Sequence, residues 1–521
     1  MSKKPVIEIN EGFKQALAVM EESSKHVFVT GRAGTGKSTL LEYFRAHTKK
    51  TIAVLAPTGV AAVNVSGQTI HSFFRLKPNA TPADVKRASG KLLRLYKSLD
   101  AIVVDEVSMV RADLLDCMDA FLRLNGKRRN EPFGGVQVIF IGDLYQLPPV
   151  VTGVERALFQ RVYAGPYFFN AKVMETLPME FVELEKVYRQ SDSTFIDLLN
   201  SIRNNSAGEN ELAALNRRSD PTFTPARGAF FIHLTTTNDI ADRVNAEHLE
   251  QLRVKPFQSD GRISGSFERS ALPTAERLML KVGSQVMLLN NERTGRWVNG
   301  TIGKIISIQE ENGADSPTLV VALSDGDTVE VKPHTWEMFR YAFDEHAGAV
   351  VSEVVGSFTQ YPVRLAWAVT IHKAQGKTFD RVVIDLGRGT FAHGQSYVAL
   401  SRSRTLEGIV LKRPILKRDI IMDWNVVRFV TKYQYKLSER DTPFGDKMEL
   451  IKQAIAKRLP LSITYLKSDD KKSRRVIEPA KVGEMEYEGK PFIGVKAYCR
   501  LRCDTRVFRV DRILELSAVP A

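Results

Sequence analysis

The chain has 521 residues, 43% of them apolar, enough for three or four domains at about 100 to 200 residues each. Its 74 Lys and Arg outnumber 60 Asp and Glu, giving a net charge of +14 and a sequence pI near 9.5, a balance that points to a polyanionic partner. Three cysteines (Cys117, Cys499, Cys503) exclude a disulfide framework and a closed zinc site, no stretch nears the roughly 18 apolar residues of a membrane span, and the start MSKKPVIEINEGFK lacks a signal-peptide core, so a cytoplasmic protein with no membrane partner is expected.

Short Val/Ile/Phe-rich runs at His26–Thr30, Ile52–Ala56, Ala101–Val104 and Val136–Ile141 each lead into a loop carrying Gly, Pro, Asp or Ser. They are too short for helices and too apolar for one-sided strands, and predict central strands of a parallel sheet covered by helices on both faces. A second series, Phe230–Leu234, Val286–Leu289, Ala366–Ile371, Val382–Leu386 and Ile409–Leu411, predicts a second α/β domain. Alternating segments such as TLVVAL and DTVEV between 303 and 359 predict a small antiparallel barrel inserted into it. The polar, Pro- and Gly-bearing stretch 436–447 predicts a linker, and 448–521 a separate module that opens on a helix and ends in basic strands. From Leu411 onward there are 25 basic and 15 acidic residues, so ten of the fourteen excess charges fall at this end.

The strand HVFVT runs into Gly31-Arg32-Ala33-Gly34-Thr35-Gly36-Lys37-Ser38 and then a helical pattern beginning at Thr39, the context that confirms G-x-x-x-x-G-K-[ST]. Glycines let successive N–H groups turn inward onto phosphate oxygens, and the following helix adds its positive end. Lys37 is expected on the β and γ phosphates of ATP and Ser38 on Mg2+. The strand Ala101–Val104 delivers Asp105 toward the Mg2+ shell and Glu106 as acceptor of a proton from an attacking water. Gln146, in GDLYQLPP, can donate to a γ-phosphate oxygen and accept from a water; Pro148 and Pro149 serve equally to end the strand.

In this order the motifs resemble superfamily-one B DNA helicases of the Pif (petite integration frequency) type, related to RecD. The resemblance runs from about Glu11 to Tyr435 and includes APTGVAAVNVSGQTIHSFF, VYRQ, TTTNDIADRVN, VGSQVMLL, VNGTIG, LAWAVTIHKAQGKTFD and QSYVALSRSR. It implies an α/β chain of two RecA-like P-loop domains with an inserted SH3-like β-barrel: motor domain 1A over 1–190 with a short wedge insert near 75–98, motor domain 2A over 191–302 and 360–435, and subdomain 2B over 303–359. It also implies that Arg189 and Arg402 face the γ-phosphate, and an arginine reaching across a cleft stabilises transferring charge only when the cleft is shut. Single-stranded DNA is implied to lie on Thr58, Gly59, Val60, His71, Asn238, His372, Lys373 and Gln375; for His71 a structural histidine is the competing reading. An adenine-reading glutamine upstream of the phosphate loop is implied too, and Gln15 is the candidate.

The last module resembles a WYL domain, a small SH3-like barrel, through Tyr465, Pro479, Tyr498, Arg502, Arg506, Phe508 and Arg509; Ile493-Gly494-Val495 stands where Trp-Tyr-Leu belongs. Alternation in CRLRCDTRVFRV places Arg500, Arg502, Arg506 and Arg509 on related faces as a phosphate-binding surface. The expected activity is 5'-to-3' ATP-dependent DNA helicase or translocase, stimulated by DNA and serving repair, replication and telomere maintenance. The expected cofactors are ATP and Mg2+. Single-stranded, duplex and forked DNA are the expected partners, quadruplexes and RNA–DNA hybrids further candidates, and a monomer the expected state. The rival from another class is an ATP-gated DNA-binding regulator without strand separation.

Overall fold

The computed structural model describes residues 9–519 except 78–79, 152–154, 156–158, 227, 293, 311–315, 347–348, 468–471 and 488–489. It divides into two compact units: one holds most of the chain up to Ile421, the other Met422 onward together with Asn200–Ala207.

In the first unit, β1 (His26–Gly31), β2 (Ile52–Ala56), β3 (Gln68–Thr69), β4 (Ala101–Val104), β5 (Gln137–Ile141) and β6 (Met179–Leu184) form one parallel sheet in the order β3-β2-β4-β5-β1-β6. The four predicted runs are its central strands. Their side chains are buried on both faces: on one, Phe13, Ala16 and Met20 of Glu11–Glu22 and Leu40, Leu41 and Phe44 of Lys37–His47 pack on Val27, Val29, Val103, Ile139 and Ile141, and on the other Phe28 and Phe140 meet Phe168. Each such side chain contributes about 1.5–3 kcal/mol by leaving water. The rigid strands hold the loops at their carboxyl ends, and the nucleotide motifs are those loops.

The second parallel sheet starts at β7 (Ile232–Thr235). The chain then leaves it for β8 (Phe257–Asp260), β9 (Arg262–Gly265), β10 (Arg277–Leu280), β11 (Gln285–Leu288), β12 (Ile302–Gln309), β13 (Thr318–Leu323), β14 (Thr328–Val331), β15 (His334–Asp344), β16 (Ala349–Gln360) and β17 (Val363–Leu365). It returns through β18 (Ala368–Thr370), β19 (Val382–Asp385) and β20 (Ile409–Leu411), giving the order β18-β7-β19-β20. The excursion is wider than the expected 303–359. Val286–Leu289, expected in the second motor sheet, instead pairs antiparallel with β12 and β17 in the sheet β14-β13-β12-β11-β17. An apolar run is equally at home in either setting, and here Val286 and Leu288 join Leu278, Leu280, Trp297 and Ile305 in the barrel core. The long β15–β16 hairpin runs back to the first sheet, where the Val54 N–H donates to Tyr341 Oη at 2.9 Å and Tyr341 stacks edge-on against Phe73.

The insert near 75–98 has its helix Gly90–Ser98 anchored by buried Leu95 and Tyr96, whose hydroxyl donates to the Phe73 carbonyl at 2.6 Å; residues 78–79 lie outside the described ones. Arg94 pairs with Glu345 of the hairpin connection at 2.7 Å.

The second unit corrects the expected linker. Trp424–Asp441 and Phe444–Lys457 are helices, so 436–447 is helical except at Thr442 and Pro443. Lys447 is buried, with its ammonium donating to Ser438 Oγ at 2.6 Å. Polar composition there marks a helix surface, not a tether. Behind these helices, β21 (Leu461–Leu466), β22 (Lys472–Tyr487), β23 (Lys490–Cys499), β24 (Asp504–Arg509) and β25 (Ile513–Ala518) form an antiparallel sheet in the order β24-β23-β22-β21-β25 around Ile463, Ile477, Val495, Phe508 and Ile513.

Candidate nucleotide cleft and strand-binding residues

Between the two parallel sheets lies a cleft of about 750 Å3, lined on one side by Ala33–Thr39, Glu106, Gln146 and Arg189 and on the other by Gly376–Arg381 and Arg402. Gly34 (φ 83°) and Gly36 (φ 86°) take left-handed backbone conformations, which let the loop curl ahead of helix Lys37–His47. The Lys37 ammonium folds back onto the carbonyls of Gly31 (2.7 Å) and Arg32 (3.0 Å), so Gly31 shapes the seat from behind while Ala33 to Thr39 face the cavity. Asp105 and Glu106 both keep part of their surface open. Burial, then the neighbouring Glu106 charge, pushes Asp105 up to about 7; burial also raises Glu106, against the pull of Lys37 and Arg402. Carboxylates raised in this way gain from a cation. Ser38 and Asp105 offer hard oxygen donors that suit Mg2+, and no cluster of three His, Cys, Asp or Glu able to hold a metal exists among the described residues.

The cleft is closed by direct bonds across it. Ala33 N–H donates to Tyr397 Oη at 3.0 Å, Arg189 donates to the carbonyls of Ser401 (3.2 Å) and Gly376 (3.3 Å), and Gln190 Nε2 donates to Ser401 and Ser403 carbonyls. Arg402 is 1% exposed. It is held by the carbonyls of Val398 (2.8 Å) and Lys377 (3.1 Å) and by Ser401 Oγ, and burial, then Arg189, lowers it to about 9. Two guanidinium groups so close, one fully buried, are costly unless an anion joins them. Gln146 Nε2 donates to Asp143 at 3.2 Å on the cleft wall. A Cβ on Gly394, at the head of helix Gln395–Leu400, would stand 2.3 Å from the Tyr145 carbonyl oxygen and 2.6 Å from that of Gln146.

The expected strand-binding residues do not all gather together. Thr58 caps helix Gly59–Asn64, accepting from Ala61 N–H at 3.3 Å, with Val60 exposed beside it; a Cβ on Gly59 would lie 2.4 Å from that of Ala271. His71 is partly buried and held below the usual histidine range by burial, which favours its structural reading. Asn238 is exposed at the head of helix Asn238–Gln251, His372 is half-buried and Lys373 exposed. Gln375, expected on the strand, has its amide donating to Glu106 at 3.1 Å. Gln15 is exposed and does not line the cleft.

In the second unit, Arg506 sits opposite Ala497 and Arg509 opposite Gly494. Three residues apart on one strand, they face opposite sides of the sheet, which corrects the shared surface expected for them. Arg500 pairs with Glu478 at 2.9 Å and Arg509 with Asp511 at 2.8 Å, while Arg506 has no ion-pair partner among the described residues.

Known proteins share this arrangement. The PIF1-like helicase family matches residues 8–211 and the WYL domain family 446–518. The ATP-dependent DNA helicase Pif1 of Bdellovibrio bacteriovorus is 32% identical over 443 residues, 82% of this chain and 94% of that protein. The chain belongs to the PIF1-like helicase family. The zebrafish (Danio rerio) helicase PIF1 is 35% identical over 425 residues, and the match spans 78% of this chain but only 62% of that protein. Among solved structures, Bacteroides sp. Pif1 in complex with ADP-AlF4 superposes with a TM-score of 0.77 at 36% identity, covering 82% of this chain and 98% of that one. The unliganded Bacteroides protein gives 0.75, and the same protein bound to single-stranded DNA 0.60. The arrangement seen here is thus nearer the forms not described as DNA-bound.

Tyr397, Gln190, Lys377 and Asn299 stand inside the quoted blocks but were given no role by them. Lys377 donates to Asn299 Oδ1 at 2.5 Å, and Asn299 Nδ2 donates to Asn64 at 3.4 Å, tying the end of helix Gly59–Asn64 to the cleft. The reach of Tyr397 and Gln190 across the cleft needed the fold.

Proposed function

We propose that this chain is an ATP-dependent DNA helicase that walks 5' to 3' along single-stranded DNA and parts duplexes and forks. The observation that carries this reading is the cleft itself. The phosphate loop, Glu106 and Arg189 on one lobe are bonded to Tyr397, Gln375 and Ser401 on the lobe that carries buried Arg402, so nucleotide and lobe closure are one equilibrium. Glu106, oriented by Gln375, accepts the proton of the attacking water. Lys37 turns from its carbonyl partners to the phosphates, Gln146 positions the water, and Arg189 and Arg402 stabilise the charge that develops. Mg2+, held by Ser38 and Asp105, would supply charge neutralisation at the phosphates.

Thr58, Gly59, Val60, Asn238, His372 and Lys373 hold backbone phosphates without reading bases, as movement along any sequence requires. The lower superposition on the DNA-bound Bacteroides protein supports a rearrangement on strand binding. The WYL-type unit adds nucleic-acid affinity through Arg506 and Arg502, with Arg500 and Arg509 tempered by their carboxylates. The chain works as a monomer in the cytoplasm, on DNA intermediates of repair, replication and telomere maintenance that include quadruplexes and RNA–DNA hybrids. Forked substrates with a 5' or a 3' tail test the reading. Displacement from the 5' tail alone is expected, and ATP-dependent binding with no displacement from either would favour the regulator instead.

A further inference from the structure

One ammonium in the cleft has no part in the reading above. Lys377 lines the second-lobe wall of the cavity that Ala33–Thr39 line from the first. Its stem runs along Gly300, where an added Cβ would stand 3.4, 3.5 and 3.7 Å from Lys377 Cβ, Cγ and Cδ. Gly300 has a left-handed backbone (φ 105°), so a residue without a side chain both leaves room for the stem and makes the turn that follows Asn299. The ammonium ends on Asn299 Oδ1 at 2.5 Å, one neutral oxygen for three donors, and no carboxylate is bonded to it among the described residues. Asn299 is fixed in turn: its N–H donates to Asn291 Oδ1 at 2.8 Å and its amide to Asn64. Burial, then Arg364, lowers Lys377 to about 8. A cation so placed gains from an anion, as does Lys37, which rests on two carbonyls in the same cavity.

We propose that Lys377 binds the nucleotide from the second lobe, gripping the α,β-diphosphate that ATP and ADP share, so that the lobes stay bridged after the γ-phosphate has left. The backbone here serves the two arginines: the carbonyl of Lys377 accepts from Arg402 Nη1 at 3.1 Å and that of Gly376 from Arg189 Nη2 at 3.3 Å. The Lys377 ammonium is bonded elsewhere, on the loop at Asn299 and Gly300 that also lines the cavity. Arg189 and Arg402 lose their anion on hydrolysis, whereas Lys377 keeps its own until ADP departs. Asn299 is the resting place that the ammonium leaves for the phosphate. The inference rests on the ATPase reading of the cleft and adds to it a contact that governs product release.

Equilibrium binding of ADP and of a non-hydrolysable ATP analogue to the full chain tests this in wild type, Lys377→Met, Lys377→Arg and Asn299→Ala, with the rate of ADP release measured alongside. Lys377→Met keeps the stem along Gly300 and the carbonyl on Arg402. It should weaken ADP and the analogue by the same factor, about 10- to 100-fold for one charge-assisted hydrogen bond, and speed ADP release to match. Lys377→Arg, which keeps the charge, should recover most of the loss. Asn299→Ala removes the competing oxygen and should tighten both nucleotides by about 2- to 10-fold, a gain that damage to the loop would not produce. Wild-type ADP affinity in Lys377→Met overturns the contact. A loss confined to the analogue overturns it as well, because the lysine would then serve the γ-phosphate with the arginines. Equal losses in Lys377→Met and Lys377→Arg reduce Lys377 to packing, and unchanged or weaker binding in Asn299→Ala removes the resting place. A wild-type chain that binds neither nucleotide overturns the ATPase reading itself.

Discussion

The nucleotide cleft and the C-terminal sheet both carry arginines, yet they treat them in opposite ways. In the cleft, Arg402 is buried among backbone carbonyls, with no carboxylate bonded to its guanidinium among the described residues. On the sheet, Arg500 and Arg509 stand partly in water and are paired with Glu478 and Asp511. A buried cation whose own hydrogen bonds go only to neutral oxygens is strained toward an incoming anion, whereas an exposed pair is already screened and has little left to offer. Charge count therefore misleads: the unit holding most of the excess charge is the one where single charges should matter least.

The sharpest way to break this comparison is at Arg402. Arg402→Ala, and Arg402→Lys nearly as much, should cost about 10^3-fold or more in DNA-stimulated ATP turnover while nucleotide binding persists, because a lysine cannot reproduce the planar fork. Steady-state turnover with an analogue-binding assay checks it, and normal turnover would place the clamp elsewhere. Next comes Glu106→Gln, expected to lose about 10^2 to 10^4-fold in hydrolysis with binding retained. Gln375→Ala should follow with a smaller loss, since it orients Glu106 through one hydrogen bond of 3.1 Å.

Acid stability separates the two units by another route. His26 and His233, one in each motor sheet, are lowered by burial from 6.5 to about 4, and all nine histidines of the chain precede Leu411. Each ring is neutral when folded and takes up a proton more readily when unfolded. Its contribution is whole above pH 6.5 and is lost as pH falls toward 4, by about 1–3 kcal/mol per ring. Melting followed across that range should fall, and His26→Asn, which keeps an acceptor for the Val138 N–H, should blunt the fall. The smallest effects belong to the sheet. Arg506→Ala should flatten the salt dependence of DNA binding by about 0.7, and Arg500→Ala by less, because Glu478 already answers that charge.

Much of the motor was legible in the sequence because strand, glycine loop and helix follow from local rules. An apolar run ending in Asp105-Glu106 has few other ways to fold. What the residues hid was set by partners far along the chain. Val286–Leu289 reads the same in a parallel sheet or a barrel, and its pairing with β12 and β17 decided the matter. The stretch 436–447 looks like a tether until Lys447 is seen donating to Ser438, which also means that a truncation at Lys436 would cut a helix in two. The bond from Gln375 to Glu106 was hidden too, because motif blocks record order along the chain and not which side chains meet. Related faces for Arg506 and Arg509 would need a bulge between them; in the regular pairing of β24 three residues put them on opposite sides.

Gly394 has no side chain, and the carbonyls of Tyr145 and Gln146 stand where one would begin. A single methyl group there would work as a doorstop wedged in the hinge side of a shutting jaw. Gly394→Ala should leave a molecule able to take up its fuel yet unable to bite down on it, an idling engine made by adding one carbon behind the cleft wall.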